Sequence, residues 1–212
     1  MSDPEPNWEL LAPGGDSSLT RPPLAEPRSP FGQRAALLFL FVGSMWAIRI
    51  VDTFRSYGSI AGDGIVPRTT HGLLGIATAP FIHASWGHLL ANTIPLLVLG
   101  ALLLAGGVAE FVFVTAVSAV VAGAGTWLFG ETARHIGASS LVFGYIGYLL
   151  VRPAFDRKLW SIVITLVVAG LYGATLLWSI IPQGGISWSG HLFGFIGGVL
   201  AAAVARRGAS RA

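Results

Sequence analysis

The chain reads as an all-α, polytopic membrane protein, a bundle of six transmembrane helices with polar tails. Three observations predict that class. Hydrophobic residues make up 53% of the sequence and charged residues 11%, where a soluble domain carries about 25% charged residues. The apolar residues gather in six blocks, at about 35–53, 87–105, 109–129, 137–152, 159–181 and 188–205, most of them matching the roughly 20 residues of helix that cross a bilayer. The basic residues then divide unevenly between the two sides. With both termini cytoplasmic, nine face inward (Arg21, Arg28, Arg34, Arg152, Arg157, Lys158, Arg206, Arg207 and Arg211) and four face outward (Arg49, Arg55, Arg68 and Arg134), as cytoplasmic loops collect Lys and Arg.

Taken in order, residues 1–33 hold seven prolines among Ser, Gly, Asp and Glu and form a disordered cytoplasmic tail. That tail lacks the basic start and apolar core of a cleaved signal, so the first block is expected to act as the membrane signal itself. Arg49, late in the first block, is expected to snorkel outward. Residues 54–86 are too broken by Gly and Pro to span and too apolar to be fully wet, which predicts an interfacial loop lying partly in the outer leaflet. The second and third blocks join through a tight turn at 105–110, with Glu110 at the cytoplasmic end. The fourth block, bounded by Arg134-His135 and Arg152-Pro153, offers only about 16 residues of helix, so one end should lie below the membrane surface and meet water through a cavity. The membrane domain therefore covers 34–206, and 207–212 is a short basic tail.

Ser139 lies at the sunken end of the fourth block, and His191 near the start of the last. A hydroxyl and an imidazole are costly in hydrocarbon, and without charged neighbours they mark a functional site. His191, Gly194 and Gly198 share one helix face, and Ser140, Gly144 and Gly147 form a stripe of small residues on the fourth block. Small residues at this spacing let membrane helices approach closely, which would carry His191 to Ser139 at the same depth. A serine becomes a nucleophile when a base takes its proton, and neutral His is the usual base. No Asp or Glu is expected in the outer half of a helix where it could orient His191, so the unit reads as a dyad, with Phe143 one turn after Ser139 placed to hold the imidazole by ring packing. Oxyanion donors would come from the main chain at Ser139, at a helix start where N–H groups are unpaired, and from His88 and Asn92, which share a face at the outer end of a second helix beginning near His83.

His83-x4-His88-x3-Asn92, then Gly137-x-Ser139, then His191-x2-Gly194-x3-Gly198, in that order on the second, fourth and sixth blocks, resembles the rhomboid intramembrane serine proteases. The resemblance covers roughly residues 35–205. It implies a six-helix bundle of the rhomboid type, Ser139 as nucleophile, His191 as base, and His88 with Asn92 as oxyanion donors. It further implies that His83 supports the loop and cavity, that Phe143 stacks on His191, and that Pro67 to Phe81 belong to a half-submerged first loop. Ser140 stands where the family usually has Gly; the packing stripe claims Ser140 and leaves Ser139 as the nucleophile.

The expected activity is an endopeptidase that cleaves transmembrane segments of other membrane proteins near their outer ends through an acyl-enzyme, in the plasma membrane. The alternative is a catalytically silent rhomboid-like protein that binds transmembrane helices; retention of both Ser139 and His191 argues against it. A channel or transporter would want paired ionisable residues in mid-bilayer or an inverted repeat, and neither is visible. With no cysteine, thiol chemistry and thiolate metal sites are excluded, and no cofactor or metal is expected. His83 and His88 lack a carboxylate or thiolate to complete a metal site. His71 and His135 read as solvated loop residues. The formal charge of +3 is modest, and its location counts for more than its sum. The expected partners are transmembrane segments of substrate proteins and membrane lipid, with no nucleic acid.

Overall fold

The computed structural model describes residues 31–56, 60–183 and 185–209. Their order is α1 (Phe31–Ser56), a 3-10 turn (Ile60–Asp63), α2 (Thr70–Thr78), a second 3-10 turn (Ala79–Phe81), α3 (Trp86–Gly106), α4 (Val108–Phe129), α5 (Ser139–Val151), the short α6 (Pro153–Asp156), α7 (Leu159–Ser179) and α8 (Trp188–Ala209). Among the described residues, the extended structure is a single bridge between Ile65 and His135. α1, α3, α4, α7 and α8 are long and apolar enough to cross a membrane. The protein is thus an all-helical, multi-pass membrane protein.

α5 departs from the expectation of six spanning helices. It has 13 residues, which at about 1.5 Å per residue is roughly 20 Å, well short of a hydrocarbon core of about 30 Å. Gly137 and Ala138 stay outside the helix at its start, and Arg152-Pro153 ends it. The remaining blocks form helices within a few residues of their expected limits. Most of the tail assigned to 1–33 falls outside the described residues, whereas α8 runs to Ala209 and so continues into the stretch assigned to the C-terminal tail.

α5 occupies the centre, buried continuously from Leu141 to Leu149. α8 and α4 pack most closely against it. On α8, a Cβ at Gly194 would collide with the Ser140 carbonyl, and one at Gly198 with the Gly144 carbonyl; on α5, Gly147 abuts the Phe195 carbonyl. These two helices touch backbone to backbone because no side chain stands between them. α7 lies at the edge, with Ser161, Ile164, Val168 and Ser179 its buried residues.

At the end of the bundle where α1 begins and α8 ends, Arg152 grips the Glu110 carboxylate with Nη1 (2.6 Å) and Nη2 (3.2 Å) and reaches Asp156 through Nε (3.1 Å). Ser161 donates to the same Asp156 oxygen, tying in the start of α7. At the opposite end, the loop after α1 contains α2, a regular helix that the Gly and Pro pattern had not suggested. Thr69 caps it by accepting from Gly72 N–H (3.0 Å), and Ile76 packs on Gly123 of α4. Reciprocal backbone bonds between Ile65 and His135 pin this loop to the α4–α5 connection.

Two polar residues differ from expectation. Arg49 does not snorkel: it is 2% exposed, donates to Asp52 (2.9 Å), and lies 5.4 Å from the Trp86 ring. Asp52 supplies its counter-charge one turn away and also accepts from Ile60 N–H (3.0 Å). Asp52 is a buried acid on the far half of a helix, where none was expected. His135 is buried rather than solvated, bonded through Nδ1 to Ser187 Oγ (2.6 Å) and through Nε2 to the Glu131 carbonyl (3.1 Å).

Candidate active site

The start of α5 is built by its approach loop. Gly137 has φ +109, a conformation that L side chains rarely adopt, and its N–H donates to the Ala79 carbonyl (2.8 Å). Ala138 N–H donates to His83 Nε2 (3.4 Å), and the Ala138 carbonyl accepts from Leu141 and Val142. Ser139 therefore opens the helix, in the first turn, where main-chain N–H groups have no acceptor within their own helix.

The close contact of α5 with α8 sets His191 beside it. His191 Nε2 lies 2.9 Å from Ser139 Oγ, and His191 Nδ1 lies 3.0 Å from the Ser179 carbonyl oxygen. A carbonyl only accepts, so Nδ1 carries the proton and Nε2 presents its lone pair. Ser139 then donates to Nε2. Phe143 stacks on the imidazole with ring centres 4.2 Å apart and planes within 10°. His191 is 8% exposed, its ring held by a hydrogen bond at each nitrogen and a flat apolar contact on one face.

His88 and Asn92 project from the first two turns of α3 toward the same loop. A Cβ at Gly137 would meet His88 Cε1 and Nε2 at 2.6 Å, and Asn92 Nδ2 lies 3.8 Å from that position. The Asn92 amide donates to the His88 carbonyl (2.9 Å). His83 is not on this helix: α3 begins at Trp86, capped by Ser85, whose hydroxyl accepts from His88 N–H (3.0 Å). His83 sits in the preceding turn, its ring edge-on to His88 at 5.1 Å. Burial, then the neighbouring His88 and Arg49, push its pKa down to about 4, and neutrality is what lets Nε2 accept from Ala138.

Ser139, His191, His88, Asn92 and Phe143 line one cleft of about 440 Å³ that opens between α3 and α7. Gly194 and Gly198 lie outside it, in the α5–α8 contact. Behind Ser139, on the α4 side, a cavity of about 20 Å³ bordered by Thr126, His135 and Ser187 is large enough for a single water. Among the described residues no three His, Asp or Glu side chains gather around a common point where a metal could bind.

Two contributors were not foreseen from the sequence. Ser187 accepts from Gly190 N–H (3.3 Å) through its hydroxyl and from His191 N–H (3.1 Å) through its carbonyl, so it starts the helix that carries His191; a serine just before an apolar helix was a readable cap signal. The Ser179 carbonyl had no signal, because every residue has one.

The Rhomboid domain family matches residues 70–208. An uncharacterized protein of Mycobacterium tuberculosis is 42% identical over 207 residues, covering 89% of this chain and 85% of its own length. One of Mycobacterium leprae is 40% identical over 175 residues, covering 78% and 68%. A Bacillus subtilis protein, provisionally named the rhomboid protease YdcA, is 31% identical over 127 residues, covering 59% and 63%. The family match spans the loop of His83, the start of α5 and the whole face of α8 that bears His191, and the chain belongs to the rhomboid family.

Proposed function

We propose that this protein is an intramembrane serine endopeptidase that cleaves transmembrane segments of other membrane proteins by a Ser139–His191 dyad. The observation that carries the reading is the 2.9 Å contact between Ser139 Oγ and a His191 Nε2 whose partner nitrogen already holds the proton. His191 takes the Ser139 proton as Oγ attacks the scissile carbonyl, and returns it to the leaving amine. A water then hydrolyses the acyl-enzyme, activated by the same ring. The small cavity beside Ser139 offers room for that water.

His88, Asn92 and the first-turn N–H groups of α5 surround the position of the developing oxyanion. The Asn92 amide gives one N–H to the His88 carbonyl and keeps its second to donate there. Losing one such donor costs roughly 10²–10³ in rate, so Asn92→Ala should retain weak activity. The open side between α3 and α7 admits a substrate segment from lipid, and helix-breaking residues would expose its carbonyls. On this reading α5 is a sixth, short span that keeps Ser139 below the membrane surface, both termini are cytoplasmic in the plasma membrane, and 34–206 form the catalytic domain flanked by tails.

Fluorophosphonate labelling of the purified protein, mapped by mass spectrometry, tests this. The expected adduct is on Ser139, persists in Ser140→Ala, and is lost in Ser139→Ala and His191→Ala. Labelling indifferent to His191, or on Ser140, overturns the dyad, and a protein that never labels is better read as a silent binder of helices.

A further inference from the structure

We propose that Ser179 is a positioning residue of this site through its main-chain carbonyl, which holds His191 in the reactive tautomer from the C-terminal end of α7. The inference rests on the proteolytic reading above. In a Ser–His–acid triad, a carboxylate accepts from Nδ1–H, fixes the tautomer and stabilises the imidazolium that forms. Here the Ser179 carbonyl occupies that place at 3.0 Å from Nδ1, with both residues under 10% exposed.

Electrostatics make this carbonyl more than a neutral acceptor. Ser139 opens α5, and His191 lies in the first turn of α8. Both helix starts present the positive end of a dipole, which favours a developing oxyanion but works against a positive imidazole ring. Ser179 is the last residue of α7, where carbonyls lack partners within their helix and the dipole is negative. The end of α7 thus supplies the negative potential that a carboxylate supplies elsewhere, without placing a formal charge in the membrane.

The arrangement links the base to the cleft. Leu171, Tyr172 and Thr175 of α7 line the same opening as Ser139, so a segment lying in the cleft touches the helix whose end orients His191. α7 is anchored at its other end, where Ser161 donates to Asp156 (2.5 Å) and Thr165 to the Leu149 carbonyl (2.7 Å). Displacement of the cleft half of α7 would withdraw the carbonyl from Nδ1 while the α5–α8 contact stays intact.

Replacing Ile180 with its α-hydroxy analogue tests the proposal, because the resulting ester leaves every side chain in place and makes the Ser179 carbonyl a weaker acceptor. The same exchange at Leu177 weakens the Leu176 carbonyl and serves as control. Both full-length proteins are compared in lipid nanodiscs by labelling rate at Ser139, by ¹⁵N NMR of the His191 tautomer, assigned by difference against His191→Gln, and by melting. The Ile180 ester should label about five- to tenfold more slowly than the control, with Nε2–H tautomer gaining population and melting matched. Equal labelling, or slower labelling with His191 still wholly Nδ1–H, overturns the proposal. If the unmodified protein does not label at all, the proteolytic reading fails, and the tautomer spectrum alone still decides whether Ser179 orients the ring.

Discussion

α5 and α8 meet backbone to backbone, through Gly194 on Ser140, Gly198 on Gly144 and Gly147 on Phe195, whereas α7 rests on the bundle through a few side chains and leaves Leu166, Leu171, Leu177 and Trp178 exposed. The close pair carries the two side chains that must stay within hydrogen-bond reach. The loose helix carries the wall of the cleft. Short contacts between atoms with no side chain to rearrange leave little freedom, so the reactive distance is set where packing is tightest. On the proteolytic reading, the helix that would meet a lipid-borne segment is the one that can shift at least cost.

Gly198→Val attacks the tight side directly. Its Cβ would strike the Gly144 carbonyl, which cannot rotate away, and the helices must separate. A loss of about 3 kcal/mol is expected in reversible unfolding, together with loss of Ser139 labelling. Near wild-type stability would show that the contact is softer than it looks.

Acid should loosen the same side from beneath. The His83 pKa is lowered to about 4 in the folded protein from an ordinary 6.5, so the unfolded chain binds its proton first. Stability from this residue is intact above pH 6.5, falls as pH drops through 6.5 toward 4, and levels off below, a loss of about 3 kcal/mol. Protonated Nε2 can no longer accept from Ala138, the residue before Ser139. Unfolding at pH 7 and pH 4.5 should show a slope that becomes clearly shallower in His83→Gln; an unchanged slope would remove His83 as a source.

Smaller effects belong to α7. Ser161→Ala removes the donor to Asp156 and should cost about 1 kcal/mol, with faster hydrogen exchange confined to α7. Exchange rising equally in α5 and α8 would contradict their independence. Gly170→Ala is the mildest test: a Cβ there meets nothing within 4 Å, so the better helix former should stabilise by about 0.5–1 kcal/mol. The contrast with Gly198 would vanish if both glycines tolerated a side chain alike.

Much of this layout was legible because membrane helices announce themselves by length and apolarity, and small residues at a helical period mark where two of them touch. Ser139, Phe143, His191, Gly194 and Gly198 were placed on that basis, and the stripe including Ser140 does abut α8. The misreadings share a cause. Arg49 looked like a snorkelling charge because its partner Asp52 and the covering Trp86 are brought to it by a turn and a loop. His135 looked solvated because Ser187, its partner, is far along the chain. His83 was set at the start of a helix that begins three residues later, where the Ser85 cap outweighs the local pattern.

By itself, the order of residues determined which segments leave water and which polar groups go with them, since transfer of a 20-residue apolar helix and its few hydroxyl and imidazole groups is decided locally. Only the tertiary structure decided that the end of α7 faces the start of α8. The tautomer of His191 depends on that choice, because it is set by a main-chain carbonyl that every residue possesses and that only the position of α7 brings to Nδ1.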